Sequence, residues 1–455
     1  MTIIGIILSL QFIAIAAYFL FKKYHPQAVL LICGLGMMGI AIALGFEIPE
    51  LQSSTGLAFF DLFRKIQESM AGRASGVGLM IMAIGGFVAY MKKIGASEAL
   101  VCISMQPLSL LKKRPYIASI LVIPIGQLLF ICTPSATGLG LLLVASIYPV
   151  LVGLGISRLS AVSAISACTV FDMGPASANT ARAAELIGKS NVAYFIENQL
   201  ALTIPMTLLL MVLYYFSNRY FDKKEQIEIT VIKKEELKTS VPLIYALLPI
   251  LPLILLIVFS RFIQLFPNYP VILDTTTAVL ISLFIAFIFE LIRLKKLKEV
   301  FASLKTFWEG MGKVFANVIT LIVAAEIFSF GLISLGFIDG LVDFSQHLGL
   351  GAIGIGIIMT VVIFLASMLM GSGNASFFSF GPLVPDIALR LNVSASDMIL
   401  PMQLSASMGR ATSPISGVIV AISEIAGVSS FDLAKRNFIP LVSALIFMLV
   451  YHFFI

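Results

Sequence analysis

The chain has 455 residues, 59% of them hydrophobic and 12% charged, against about 25% charged in soluble domains. That composition excludes a soluble globular protein and defines an integral membrane protein. The net charge of +6 does not point to nucleic acid, because the basic residues lie in short loops between apolar runs, where they set topology.

Apolar runs near the ~20 residues that cross hydrocarbon predict spans at 2–21, 28–46, 74–94, 159–188 and 192–217, then 243–262, 272–292, 311–333, 397–426 and 432–454. The first run carries Lys22 and Lys23 after it instead of before it, so it reads as an uncleaved span and not a signal peptide. Blocks 115–155 and 351–390 have polar, glycine-containing centres and read as re-entrant hairpins. Stretches 97–112 and 296–308 mix apolar residues with lysines and read as interfacial arms flanking the third span of each half. Cys33, Cys102, Cys132 and Cys168 lie singly in apolar surroundings and read as core residues.

The most informative stretch is Gly409-Arg-Ala-Thr-Ser-Pro-Ile-Ser-Gly417, a polar break inside a run of spanning length. Broken backbone at membrane depth is tolerated only where protein buries it or it lines a wet cavity. A second break lies 239 positions earlier: placing Pro175 on Pro414 also aligns Ser177 with Ser416, Glu185 with Glu424 and Gly188 with Gly427. Paired interrupted segments in two halves of a chain mark the binding site of secondary transporters. The predicted fold is therefore an all-α membrane protein built from two five-span repeats, 1–217 and 241–455, joined by a charged linker at 218–240. Five is odd, so the second repeat is upside down relative to the first.

Loops on one side hold 21 basic residues, Lys92, Lys435 and Arg436 among them, and the other side holds 6, among them Arg64, Arg73 and Lys189. The richer side reads as cytoplasmic, which leaves both termini outside.

Arg182, Lys313 and Arg410 remain, each within a span. Intramembrane charge is costly and marks function by default. Arg410 adjoins the second break, and its guanidinium can grip a carboxylate through two parallel bonds; bracing two helices is the alternative. Arg182 lies three residues before Glu185 and either contacts substrate or pairs along the helix. Lys313 sits near a span end, where it can snorkel out.

The hairpin tips, Thr133-Pro-Ser-Ala-Thr-Gly138 and Gly371-Ser-Gly-Asn-Ala-Ser376, bring hydroxyls, an amide and glycine to the membrane centre, opposite the breaks. Half-helix starts there attract an anion, and unwound carbonyls can hold a cation. The predicted substrate-binding set is Ser135, Ala136, Thr137 and Gly138; Pro175, Ser177, Asn179, Thr180 and Arg182; Ser372, Gly373 and Asn374; and Arg410, Thr412, Ser413 and Pro414. Asp172, Glu185, Glu326 and Glu424 are candidates for ion coupling, with Glu326 also readable as a protonated structural acid. The three histidines form no metal cluster. Ser135 has no histidine or paired carboxylate at a suggestive spacing, which argues against an intramembrane enzyme.

Pro134-Ser-Ala-Thr-Gly-Leu-Gly140, Gly155-Ile-Ser-Arg158, Gly371-Ser-Gly-Asn374 and the Gly409–Gly417 stretch resemble the anaerobic C4-dicarboxylate carriers of the DcuC type, over about 54–440. The resemblance implies the ion transporter superfamily: inverted repeats, a scaffold formed by the first three spans of each half, a mobile body of hairpins and last two spans, and a homodimer in the bacterial inner membrane. It implies a C4-dicarboxylate substrate, carried by exchange or coupled to Na+ or H+, with no cofactor. Related sodium-coupled carriers have Ser-Asn-Thr at both tips; here the matching residues are Ser135, Ala136, Thr137 and Ser372, Gly373, Asn374. The first break, Gly174-Pro-Ala-Ser-Ala-Asn179, departs from the family's Ala-Pro-Thr-Ser-Gly-Asp. The same fold carrying another anion, such as a fatty acid or an amino-acid conjugate, is the competing expectation.

Overall fold

Backbone groups in hydrocarbon have no water to bond, so apolar runs satisfy them internally as helices. A computed structural model describes residues 2–49, 51–105, 114–224, 241–260, 271–347 and 351–454, and among them there is no strand. The first half runs α1 (Thr2–Phe21), α2 (Pro26–Ala43), α3 (Ala58–Ser75), α4 (Val77–Lys93) and α5 (Ala96–Met105). It continues with α6 (Pro115–Cys132), α7 (Ala136–Ser146), α8 (Tyr148–Gly153), α9 (Arg158–Ala167), α10 (Ala178–Leu186), α11 (Asn191–Tyr194) and α12 (Leu200–Lys224). The second half opens on a 3-10 segment, Leu243–Ile250, then α13 (Leu251–Val258), α14 (Thr275–Leu294), α15 (Leu297–Ser303), α16 (Lys305–Val314), α17 (Thr320–Ser334) and α18 (Phe337–His347). It ends with α19 (Gly351–Met370), α20 (Gly373–Phe380), α21 (Val384–Leu391), α22 (Ala395–Ala411), α23 (Gly417–Ala426) and α24 (Ser430–Phe454).

Among the described residues, eight helices are long and apolar enough to cross a membrane, or nine if the α3–α4 pair, bent by 51°, is one span. Of the ten expected spans, the two broken helices are each two short pieces, and the first and sixth fall among the shorter apolar helices, Ile4–Leu20 and Leu243–Val258. The arms Pro115–Cys132, Ala136–Gly153 and Gly351–Met370 have spanning length and composition of their own, although their tips end at an internal cavity. The third span is longer than the sequence implied, since α3 leads into it through the bend at Gly76.

The two stretches read as interfacial arms are helical where they are described. Residues 296–308 form α15 and the start of α16 and continue into a single 38-residue apolar segment, Leu297–Ser334. The first arm becomes α5, which packs on the 3-10 segment Leu243–Ile250; 106–113 lies outside the described residues, as does 225–240 of the linker. The linker also starts later than expected, because α12 runs to Lys224.

Packing follows a simple pattern. Helix α2 lies on α17 and α4 on α16, while α19 packs on α22, α12 on α24 and α7 on α23. Glycines set two close approaches. A Cβ at Gly86 would lie 2.6 Å from the Phe307 carbonyl oxygen, and one at Gly409 would lie 2.2 Å from that of Phe364. Backbone contact therefore fixes α4 to α16 and α22 to α19.

Candidate functional site

Each tip is the start of a capped helix. Ser135 precedes α7 and its Oγ accepts from the Gly138 N–H at 3.2 Å; Ser372 precedes α20 and accepts from the Ala375 N–H at 3.2 Å. A serine cap leaves other first-turn N–H groups facing outward with the positive end of the helix dipole. Gly371 has φ +69°, a left-handed conformation natural to glycine, and it turns the chain from α19 into the tip. Both tips line one cavity of about 520 Å³.

The helix breaks close the other side of that cavity. Residues 168–177 separate α9 from α10 and residues 412–416 separate α22 from α23. In the first break the buried Asp172 carboxylate accepts from Ser177 Oγ at 2.6 Å and from Asn179 Nδ2 at 3.0 Å. Arg410 stands in the last turn of α22, and its Nη2 donates to the Thr169 carbonyl at 2.6 Å. Among the described residues nothing accepts from Arg410 Nε. The guanidinium thus ties one break to the other, with Nε itself buried. Asp172 and Arg410 both line the cavity.

Uncharged side chains hold the breaks open. Gln199 Oε1 accepts from the Gly174 N–H at 3.1 Å and its Nε2 donates to Gln403 Oε1 at 3.0 Å, while Gln403 Nε2 donates to the Asp172 carbonyl at 2.8 Å. Asn437 does the corresponding work for the second break, donating to the Ala411 carbonyl at 3.0 Å and to Ser166 Oγ at 2.8 Å. In each case the last long helix of one half joins that half's break to the broken helix of the other. Gln199 belongs to a π turn, Phe195–Gln199, of the kind found at functional sites.

The structure brings together Ser135, Ala136, Thr137, Gly138, Ser372, Gly373, Asn374, Asp172 and Arg410. Ser177 and Asn179 act behind them through Asp172, and Thr180 bonds Gln199. Pro175 lines a narrow gap beside the cavity. Thr412 and Pro414 do not line the cavity but a separate apolar groove with Phe431 and Phe438, and Ser413 is buried.

Four charged predictions fall elsewhere. Arg182 pairs with Glu185 at 2.5 Å and lies 3.8 Å from Glu326. Arg73 on α3, which the sequence placed in a loop, pairs with both acids. Glu326 therefore stands against two arginines, Arg73 and Arg182. Glu424 is exposed on α23. Lys313, expected to snorkel out, lines the cavity together with Lys92. Arg436, counted among the loop charges, is buried and pairs with Asp222. Arg73, Asp222 and Arg436 carried a signal, namely charge at the ends of apolar runs; Gln199 and Gln403 carried none, being uncharged.

An all-helical membrane fold with two capped tips and two helix breaks around one cavity is that of a transporter. Solved structures agree on the fold: MtrF of Neisseria gonorrhoeae, described as illuminating a class of antimetabolite efflux pumps, matches with a TM-score of 0.63 at 12% identity, over 94% of this chain and 95% of that one. The YdaH transporter of Alcanivorax borkumensis matches with a TM-score of 0.61 at 13% identity, over 94% and 98%.

The chain belongs to the DcuC family, C4-dicarboxylate anaerobic carrier, whose model matches residues 3–454. It is 31% identical over 451 residues to the anaerobic C4-dicarboxylate transporter DcuC of Escherichia coli K12, covering 99% of this chain and 96% of that protein. It is 32% identical over 435 residues to a probable DcuC transporter of Vibrio cholerae, covering 95% and 94%. The family is one of transporters and not of enzymes.

Proposed function

We propose that the protein carries C4-dicarboxylates of the succinate and fumarate type across the bacterial inner membrane. One observation carries this reading: two serine-capped helix starts and the Arg410 side chain meet at a single cavity. One carboxylate of the substrate bonds Arg410, and the exposed N–H groups at Ser135 and Ser372 receive the charge as well. The DcuC relatives, named for this substrate class, support the assignment.

Asp172 is the best-placed group for coupling. Its carboxylate lines the cavity and is bonded by two neutral side chains, Ser177 and Asn179, which leaves it able to take a proton or a sodium ion as substrate loads. Glu185 and Glu326 are neutralised by arginines away from the cavity.

The recurring element order and the paired breaks support an inverted repeat with boundaries at 217 and 241. In that arrangement the hairpins, broken helices, α12 and α24 move as one body past a scaffold of α1–α4 and α13–α17, and a homodimer forms through the scaffold. The bias of loop charge survives removal of buried Arg436 from the count, which supports termini on the outer side.

Proteoliposomes loaded with succinate should take up labelled fumarate, and Arg410→Ala should reduce uptake at least about a hundredfold, as expected for loss of a bidentate, desolvated carboxylate contact. Absence of exchange by the wild-type protein, under both proton and sodium gradients, overturns the reading.

A further inference from the structure

One wall of the cavity is built by α4, α16 and the turn after α16. Helix α4 contributes Ile81, Ile84, Gly85, Val88, Ala89 and Lys92, a single helical stripe with steps of three or four residues. Helix α16 and the turn after it contribute Gly310, Lys313, Val314 and Val318, again one stripe. Lys92 closes the first stripe, and Lys313 stands within the second, between Gly310 and Val314. Both are exposed, and among the described residues neither ammonium has a hydrogen-bond or ion-pair partner.

Their spacing is set by backbone contact. A Cβ at Gly310 would lie 2.8 Å from the Gly86 Cα, so α4 and α16 touch at one point and the lysines project from fixed stems.

The charge balance gives the pair a meaning. Arg410 and Asp172 are opposite charges within electrostatic reach of each other. The remaining charged lining is Lys92 and Lys313, an excess of two positive charges. A cavity beyond the other end of α4, about 670 Å³, is lined by Glu185, Lys189 and Asp274 and has no such excess.

We propose that Lys92 and Lys313 form a cationic collar on this wall of the cavity and select dianions over monoanions. The collar receives the second carboxylate while Arg410 takes the first. This rests on the carrier reading above and adds the residues that count the charges of the substrate. An apolar wall carrying two unpaired ammonium groups concentrates dianions more than monoanions, because attraction scales with ligand charge.

Binding to the purified full chain, followed by the rise of the melting temperature with succinate, sulfate or acetate, tests the collar without requiring transport. The double variant Lys92→Gln, Lys313→Gln should melt as wild type without ligand and should bind succinate and sulfate about tenfold more weakly. Its acetate response should fall less, by about threefold, and Lys92→Arg, Lys313→Arg should bind within about twofold of wild type. Each single Gln variant should lose about threefold, a fallback if the double variant folds poorly. Unchanged succinate and sulfate affinity in the Gln variants, or equal loss for acetate, overturns the collar and leaves the carrier reading standing. A wild-type protein that no dianion stabilises overturns both.

Discussion

Two buried arginine networks use the same chemistry for different ends. On one side Arg436 of α24 pairs with Asp222 of α12, and the carboxylate also accepts from Ser157 Oγ at 2.7 Å, Ser160 Oγ at 2.8 Å and Tyr116 Oη at 3.1 Å. These groups join α6, α9, α12 and α24, and both charged side chains are nearly inaccessible, at 1% and 8% exposure. In the other network Arg73 of α3 and Glu326 of α17 meet Arg182 and Glu185 of α10. Arg73 and Glu185 keep 26% and 30% exposure. The first network is dry, its carboxylate held by four side chains; the second is half-wet and shared among four groups. A contact that must hold permanently needs every partner satisfied, whereas one that must part has to be able to hydrate when it opens. Under the moving-body reading, the Arg436 network lies within the body and the Arg182 network crosses its boundary.

The largest effect should come from breaking the first network. Arg436→Met leaves the Asp222 carboxylate buried with hydroxyl partners alone, and should cost about 3–5 kcal/mol of stability, as buried pairs do when one partner is removed. Adding Asp222→Asn should recover most of the loss. The measurement is the unfolding midpoint of the purified protein in detergent. If Arg436→Met costs no more than breaking the exposed pair Lys296–Glu299, the network does not brace the four helices.

A smaller loss and a different phenotype are expected at the second network. Glu185→Gln removes the near partner of Arg182 and leaves it Glu326 at 3.8 Å. The expected cost is about 1–3 kcal/mol, that of an imperfectly satisfied buried donor, reduced because Arg73 can turn to water. The informative readout is state preference: a cysteine introduced at Ser190, which lines the cavity beside Glu185, should change its rate of alkylation severalfold when Glu185 is replaced. Stability loss with no change in labelling would mark the cluster as a static brace like the first.

The polar interruptions were the legible part of the sequence. Pro175 and Pro414, Ser135 and Ser372, and Arg410 break the composition of apolar runs, and backbone physics in a membrane gives such breaks one meaning. The charge partnerships were not legible, because they depend on which helices meet. Arg436 and Arg73 each sit near the end of an apolar run, where loop charges also sit; only the approach of α12 to α24 and of α17 to α3 distinguishes them. Gln199 and Gln403 were missed because a search for charge passes over amides, although burial makes an amide as dependent on its partners. For Lys313 the distance from the span end was visible, but the helix face that lines the cavity was not.

The smallest predicted effect isolates what position alone contributes. Glu424 is matched to Glu185 by the same alignment that pairs the two prolines, yet it is exposed on α23, and among the described residues no arginine or lysine pairs with it. Glu424→Gln should therefore change stability by less than about 0.5 kcal/mol, as for surface sites free of special contacts. It should also leave alkylation at position 190 and dicarboxylate exchange at wild-type levels. If the alignment itself carried function, both glutamates would matter alike; if function follows the partners each acid meets, only Glu185 will. A loss at Glu424 comparable to that at Glu185, in unfolding midpoint or exchange rate, would show that the second half contains a charge contact formed only in another state of the transport cycle.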